Sequence, residues 1–195
     1  PQVWHEQLQG IAKSQERASH LVDQLLALAL ADEAHQDLEK TAVSLDALVG
    51  EAVLRYLPKA DATGVDLGAK GIDHAVVVQG NAALIEGILN NLIDNALRYG
   101  RADNGHSHIT VAVETTPYSV VLSVTDNGAG VPPDKLQQIS QRWVQGAAGE
   151  ALKAGVGLGL AIVGTYAKLL GARVALAAAQ PHGLCVHVTF DKSSL

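Results

Sequence analysis

Apolar residues recur along this chain at two periods, and the switches between them divide it into elements. From Trp4 to about Glu33, the residues Trp4, Leu8, Ile11, Ala18, Val22, Leu25 and Ala29 follow 4-3 heptad spacing, and Gln15 alone breaks the stripe. The pattern predicts a long helix. Gly10 weakens it by ~1 kcal/mol relative to alanine. A single helix cannot bury such a stripe by itself, so it reads as one member of a helical bundle completed by other sequence or a second chain. Ala34–Thr41 is polar and reads as a linker. The chain therefore divides into a bundle helix over 1–36 and a second domain over 37–195.

In the second domain, Val43–Leu45 predicts a short strand, and Leu45–Leu57 predicts a helix ended by Pro58. Val65–Leu67 and Ala75–Val78 are short strands set off by glycines. Helical spacing returns in the stretch that ends Leu89–Tyr99, LNNLIDNALRY. There Ile85, Leu89, Leu92 and Ala96 share one side, while Asn91, Asn95 and Arg98 share another. Asn81 is placed to cap this helix and Gly100 to stop it. Ile109–Thr115 and Ser119–Thr125 predict a hairpin with its turn at Pro117-Tyr118. Residues 131–154 are rich in Gln, Ala and Gly and lack periodicity, which marks either a functional lid or a disordered stretch. Gly157–Leu170 predicts a helix stopped by Gly171. Arg173–Ala177 and Cys185–Phe190 predict closing strands around a Pro-His-Gly turn. The sum is an α+β fold, a two-layer sandwich with a mostly antiparallel sheet covered on one face by three helices.

Composition narrows the class. The 195 residues have room for one good-sized domain and an appendage. Hydrophobic residues at 48% against 17% charged describe a globular chain. A net charge of -6 argues against a nucleic-acid or anionic-membrane surface. The single Cys185 leaves no disulfide framework, fits a reducing compartment and reads as a buried strand residue. No apolar run approaches the ~18–20 residues of a membrane span. The chain begins at Pro1 and has no Met, so it reads as a segment of a longer protein.

Three short stretches carry chemistry. Asn91 and Asn95 stand one helical turn apart on one face, beside Arg98. Neutral amide oxygens plus one cation suit a hydrated Mg²⁺ carried on a nucleoside triphosphate. Taken alone, the same face is ordinary solvated helix. After the apolar run Val120–Val124, Asp126–Pro132 reads DNGAGVP. Gly128 and Gly130 let a ligand approach the backbone, and Asp126 can accept a hydrogen bond from an amine. Taken alone, this is an Asp-Asn-Gly turn. Gly155–Val163 reads GVGLGLAIV, with Gly155, Gly157 and Gly159 around a helix start whose bare amides suit a phosphate. No parallel βαβ alternation surrounds it, which excludes a dinucleotide fold.

In this order the three motifs resemble the ATP-binding domain shared by sensor histidine kinases, gyrase, a heat-shock chaperone and the mismatch-repair ATPase. ERASHLVDQLLALALAD, within the heptad helix, resembles the second helix of the dimerisation and phosphotransfer bundle of sensor histidine kinases, particularly tricarboxylate- and quorum-sensing-type receptors. The resemblance implies a Bergerat-type ATP-binding fold and an ATP-dependent histidine kinase that uses ATP and Mg²⁺. Such an enzyme passes the γ-phosphoryl to a histidine and then to a response-regulator aspartate. By the same resemblance Asn95 is the metal ligand, Asn91 supports metal or phosphate, and Arg98 lies near the phosphates; these three form the catalytic set. Tyr99 lies near the nucleotide, and Asp126 binds the exocyclic amine of adenine. Gly128, Gly130, Gly155, Gly157, Leu158 and Gly159 line the nucleotide. Lys153 reads equally as a phosphate partner or a solvated lysine.

Two departures stand out. In Ile139–Gly146 (ISQRWVQG), which looks like the family's Phe-box, Arg142 and Trp143 match but Ser140 replaces the usual Phe. Gly87 stands four residues before Asn91, where related kinases often carry a polar or acidic residue; Glu86 is one place off and is not read as a general base. His5-Glu6 imitates a phosphoacceptor setting but continues QLQG without Thr-Pro, so His5 and His20 read as ordinary helix residues. His35, His74, His106, His108, His182 and His187 lack metal-ligand spacing. The implied partners are a response regulator, the protein's own first bundle helix bearing the acceptor, and a second copy in a homodimer. The implied location is the cytoplasmic side of an inner-membrane receptor, with membrane contact only through preceding sequence. The alternative is a non-catalytic nucleotide-binding or adaptor domain that recruits partners through its bundle helix.

Overall fold

Side-chain alternation along the strands decides which face of the sheet is covered. The computed structural model describes residues 39–102, 105–132, 134–136 and 158–192. The chain divides into a unit Pro1–Asp37 and a unit Leu38–Leu195, and the described residues belong to the second. The predicted bundle helix and the Phe-box-like segment lie outside the described residues, as does most of the predicted lid. In order, the elements are β1 (Thr41–Ser44), α1 (Leu45–Ala62), β2 (Val65–Lys70), β3 (Val77–Gly80) and α2 (Ala82–Tyr99). There follow β4 (Ser107–Thr115), β5 (Ser119–Asp126), α3 (Leu158–Leu170), β6 (Arg173–Ala178) and β7 (Leu184–Asp191).

Five strands form a sheet in the order β2-β4-β5-β7-β6. β2 runs parallel to β4, and the other neighbours are antiparallel, so the sheet is mostly antiparallel as expected. Every second residue faces the helices. Ile109, Val111 and Val113 of β4 are buried, as are Val120, Leu122 and Val124 of β5, and Val186, Val188 and Phe190 of β7. α1, α2 and α3 cover that face. α2 alone buries Leu84, Ile85, Ile88, Leu89, Leu92, Ile93, Ala96 and Leu97. Each Leu or Ile so buried contributes ~1.5–3 kcal/mol. The expected ends of α2 hold: Asn81 Oδ1 accepts from the Leu84 amide at 3.3 Å, and the Gly100 amide donates to Ala96 at 2.8 Å.

Three expectations need correction. Pro58 does not end α1, which runs on to Ala62 with Pro58 inside. The ring removes one helical hydrogen bond, but contacts to α2 hold the last turns. Tyr56 donates to Asp94 at 3.0 Å, Lys59 reaches Asp94 at 2.6 Å, Arg55 bonds Glu86 and Asn90, and Ala60 is fully buried. The short strand expected at Val43–Leu45 is Thr41–Ser44 instead, beginning at the last residue of the predicted linker, and it pairs with Val77–Gly80 in a separate two-stranded sheet. Lys40, just before it, donates to the Leu170 carbonyl at 2.9 Å and so caps the C-terminus of α3. Cys185 lies on β7 but is only half-buried, since it alternates with Val186 and Val188 and takes the face turned from the helices. Its sulfur accepts from the Thr125 hydroxyl at 2.9 Å. Among the described residues no helix is long and apolar enough to cross a membrane.

Gly87 has a packing reason. A Cβ there would come within 2.5 Å of Cε2 of Tyr166, a buried ring of α3. Helix propensity alone would make Gly87→Ala stabilising by ~1 kcal/mol, whereas overpacking costs ~1–3 kcal/mol. The steric term should win, and denaturant unfolding should show Gly87→Ala less stable than the parent. Truncating the ring with Tyr166→Leu should reverse the sign of the Gly87→Ala effect.

Candidate functional site

α2 holds the two halves of the site. On its polar side Asn91 is 6% exposed, and its Nδ2 donates to the Gly87 carbonyl at 2.8 Å. A carbonyl only accepts, so this bond fixes which end of the amide is nitrogen. Oδ1 then points away, buried, with no hydrogen-bond partner among the described residues. An acceptor left so costs ~1–3 kcal/mol. Gly159, in the first turn of α3, sits directly over it. A Cβ on Gly159 would lie 2.8 Å from Asn95 Nδ2, 3.0 Å from Asn95 Oδ1 and 3.2 Å from Asn91 Oδ1. The bare glycine therefore lets the start of α3 approach the two amides more closely than any side chain would allow. A stranded oxygen beside a second amide fits a hard cation such as Mg²⁺.

The other half lies beyond the end of α2. Asp126 ends β5 and is 8% exposed. Its Oδ1 accepts from the Gly128 amide at 2.9 Å and the Leu184 amide at 3.3 Å. Among the described residues Oδ2 accepts no hydrogen bond, which leaves it for a donor from outside. Burial pushes this carboxyl above the usual carboxylate range; the two amides and the charge of His108 pull it partly back. Gly100 presses on it, since a Cβ there would meet Asp126 Cβ at 2.5 Å and Cγ at 2.7 Å. A Cβ on Gly128 would meet the Gly100 backbone at 2.6 Å. Asn127 is buried beside Asp126. Its Nδ2 donates to the His106 carbonyl, its Oδ1 accepts from the His108 amide, both at 2.8 Å, and so the β4–β5 ladder extends past its last backbone pair. Five to nine residues separate Gly100 from the asparagines, so the halves lie on the order of 10 Å apart along the helix axis.

The described residues thus bring together Asn91, Asn95 and Gly159 in one group, and Asp126, Gly128 and Gly130 in the other. Arg98 and Tyr99 stand exposed on the last turn of α2, Tyr99 at 67%. Lys153, Gly155 and Gly157 lie outside the described residues, and Leu158 is the first residue of α3. Glu86 faces α1, 3.1 Å from Arg55. Sequence reasoning read Gly100 only as a helix stop, and it missed Asn127, His182 and Gly183 beside Asp126. The Asn-Gly step after Asp126 and the glycine in the Pro-His-Gly turn were the available signals.

Residues 80–194 match the family described as "Histidine kinase-, DNA gyrase B-, and HSP90-like ATPase". The chain belongs to this ATPase family. Among relatives, it is 36% identical to sensor protein CutS of Streptomyces coelicolor over 177 residues, 89% of this chain and 41% of that protein. It spans less than half the length of the curated relatives it matches. Among solved structures, histidine kinase AdeS of Acinetobacter baumannii has the same fold, with a TM-score of 0.71 at 20% identity, covering 94% of this chain and 83% of that one. The cytoplasmic segment of histidine kinase QseC gives a TM-score of 0.57 at 25% identity, covering 90% and 93%.

Within this ATPase domain the raised Asp126 has a consequence for stability. Above the ordinary value of 3.8 and below its folded-state value, the folded chain binds more protons than the unfolded chain. Stability from this group is therefore greatest at low pH and is lost as pH rises through the folded-state value. Asp126→Asn keeps the acceptor for Gly128 and Leu184 without the buried charge. Urea unfolding should show it at least as stable as the parent at neutral pH, with this part of the pH dependence gone.

Proposed function

We propose that this chain is the ATP-binding catalytic portion of a two-component sensor histidine kinase. The observation that carries the reading is the pairing of two unfilled acceptors on one helix frame. Asp126 Oδ2 suits an exocyclic amine at one end, and Asn91 Oδ1 suits a cation at the other. A nucleotide has that polarity, with its base at one end and metal-bound phosphates at the other. Asp126 would read adenine, which offers an amine where guanine offers a carbonyl. Asn95, with Asn91, would hold Mg²⁺, and the ion would neutralise phosphate charge during phosphoryl transfer. Arg98 would lie near the phosphates and Tyr99 near the nucleotide. Gly155, Gly157, Leu158 and Gly159 would supply helix-start amides to the phosphates, with Lys153 as a further partner. These residues position and neutralise rather than react covalently.

The γ-phosphoryl would pass to a histidine outside these 195 residues, since neither His5 nor His20 has a Thr-Pro setting. From there it would go to an aspartate of a response regulator. The whole protein would be a homodimer, with this domain on the cytoplasmic side of the inner membrane. Similarity to sensor proteins and to a kinase's cytoplasmic segment supports that placement.

Calorimetric titration should show Mg·ATP binding. Asp126→Asn should weaken ATP by about tenfold and abolish the preference for ATP over GTP. Equal ATP and GTP affinities in the parent would sink the adenine assignment. Asn95→Ala should remove the response of binding to Mg²⁺; an intact response would show that Asn95 is not a ligand. No nucleotide binding at all would favour an adaptor. With labelled ATP, phosphate should appear only on an added bundle fragment carrying its own acceptor histidine. Acid-labile, base-stable phosphate on His5 or His20 would contradict this.

A further inference from the structure

The turn between β6 and β7 lies some 55 residues from the Asp126 turn in sequence but is built against it. Gly183 has φ +118, and a Cβ there would collide with the Asp126 carbonyl oxygen. A Cβ on Gly130 would meet the Gly183 carbonyl oxygen at 2.8 Å, so these backbones stack without side chains between them. The next residue, Leu184, donates its amide to Asp126 Oδ1. The preceding residue, His182, places Nδ1 3.1 Å from the Gly128 carbonyl oxygen. A carbonyl can only accept, so Nδ1 carries the proton in this bond.

Gly128 is thereby held on both sides of its Cα. Its N–H donates to Asp126 Oδ1, and its C=O accepts from His182. Gly100 leaves no room for a side chain at this position, so it must be glycine, the residue whose φ and ψ are least restrained. A bond at each end restrains both angles. The Gly128 N–H belongs to the peptide before the Cα and the C=O to the peptide after it, so without the His182 bond the second plane is free to turn and Gly128 is restrained only through the bond to Asp126.

We infer that His182 is a positioning residue for adenine discrimination. It acts through Gly128 on the direction of Asp126 Oδ2. The inference rests on the assignment of Asp126 as the group that reads the exocyclic amine.

The test compares ATP with inosine triphosphate, which has a carbonyl in place of that amine, by measuring both dissociation constants on the 195-residue chain. Losing one neutral hydrogen bond should reduce the ATP-over-inosine preference in His182→Ala by about threefold to tenfold. ATP should weaken more than inosine triphosphate. His182→Asn, which can present an N–H close to the position of Nδ1, should restore most of the preference. Thermal unfolding should be nearly unchanged, since the residue is exposed. Equal weakening of the two nucleotides, or an unchanged ratio in His182→Ala, would overturn the inference. Asp126→Asn is the control that separates the two failures. If it too leaves the ratio unchanged, the assignment of Asp126 fails; if it alone collapses the ratio, only the role of His182 fails.

Discussion

Burial of a carboxyl at the end of β5 sets terms for everything around it. An unpaired charge in that position would be expelled or neutralised. Here one oxygen is answered by two backbone amides, from Gly128 and Leu184, and these come from different loops. To bring both amides within reach, the end of α2, the turn after β5 and the turn before β7 must crowd onto one residue. That crowding is possible only where Cβ atoms are missing, at Gly100, Gly128 and Gly183. The compensation is partial. The group stays above its ordinary range, with one oxygen still unanswered within the described residues. A carboxyl optimised for the fold alone would not be left in that condition.

α2 carries the opposite requirement near its middle. Eight apolar side chains lock it into the core, so its polar side cannot rotate or slide. Asn91 is therefore held with its nitrogen on the Gly87 carbonyl and its oxygen stranded. In a flexible segment that oxygen would turn to water; in this helix it cannot. The same rigidity explains Gly87, where the Tyr166 ring of α3 comes close to the helix backbone and helps hold α3 in register with α2. That register keeps Gly159 over the two amides. Core packing and site geometry are thus one set of contacts read from two sides.

How much of this was legible in sequence depends on how far apart the partners lie. Asn81, Gly100, the Asn91–Asn95 face and the β4–β5 hairpin are local statements about caps, periods and turns, and each could be read from a few neighbouring residues. Asp126 could be read from the glycines that follow it. Pro58 was misread because the contacts that override it, from Tyr56, Lys59 and Arg55, reach a helix some thirty residues away. His182 and Gly183 were illegible as site residues for the same reason. Nothing near the Pro-His-Gly turn says that the sheet order will set it against Gly128. Asn127 is an intermediate case. Its position beside Asp126 was visible, but its amide bonds a segment about twenty residues upstream that only the β4–β5 register brings alongside.

The glycines of the two Gly-rich stretches show why such motifs are hard to interpret from spacing alone. Gly130, like Gly183 in the facing turn, has positive φ, which many turns need and which implies no ligand. Gly128 and Gly159 lack positive φ and are required for a different reason. A side chain at Gly128 would strike the Gly100 backbone, and one at Gly159 would strike the Asn91 and Asn95 amides. The first excludes a side chain so that two backbones can meet. The second lets the start of α3 come down onto the two amides, where the stranded Asn91 oxygen carries a polar cost. That this cost persists at the start of α3 is the physical ground for treating Gly159 as part of a binding site and Gly128 as part of its frame.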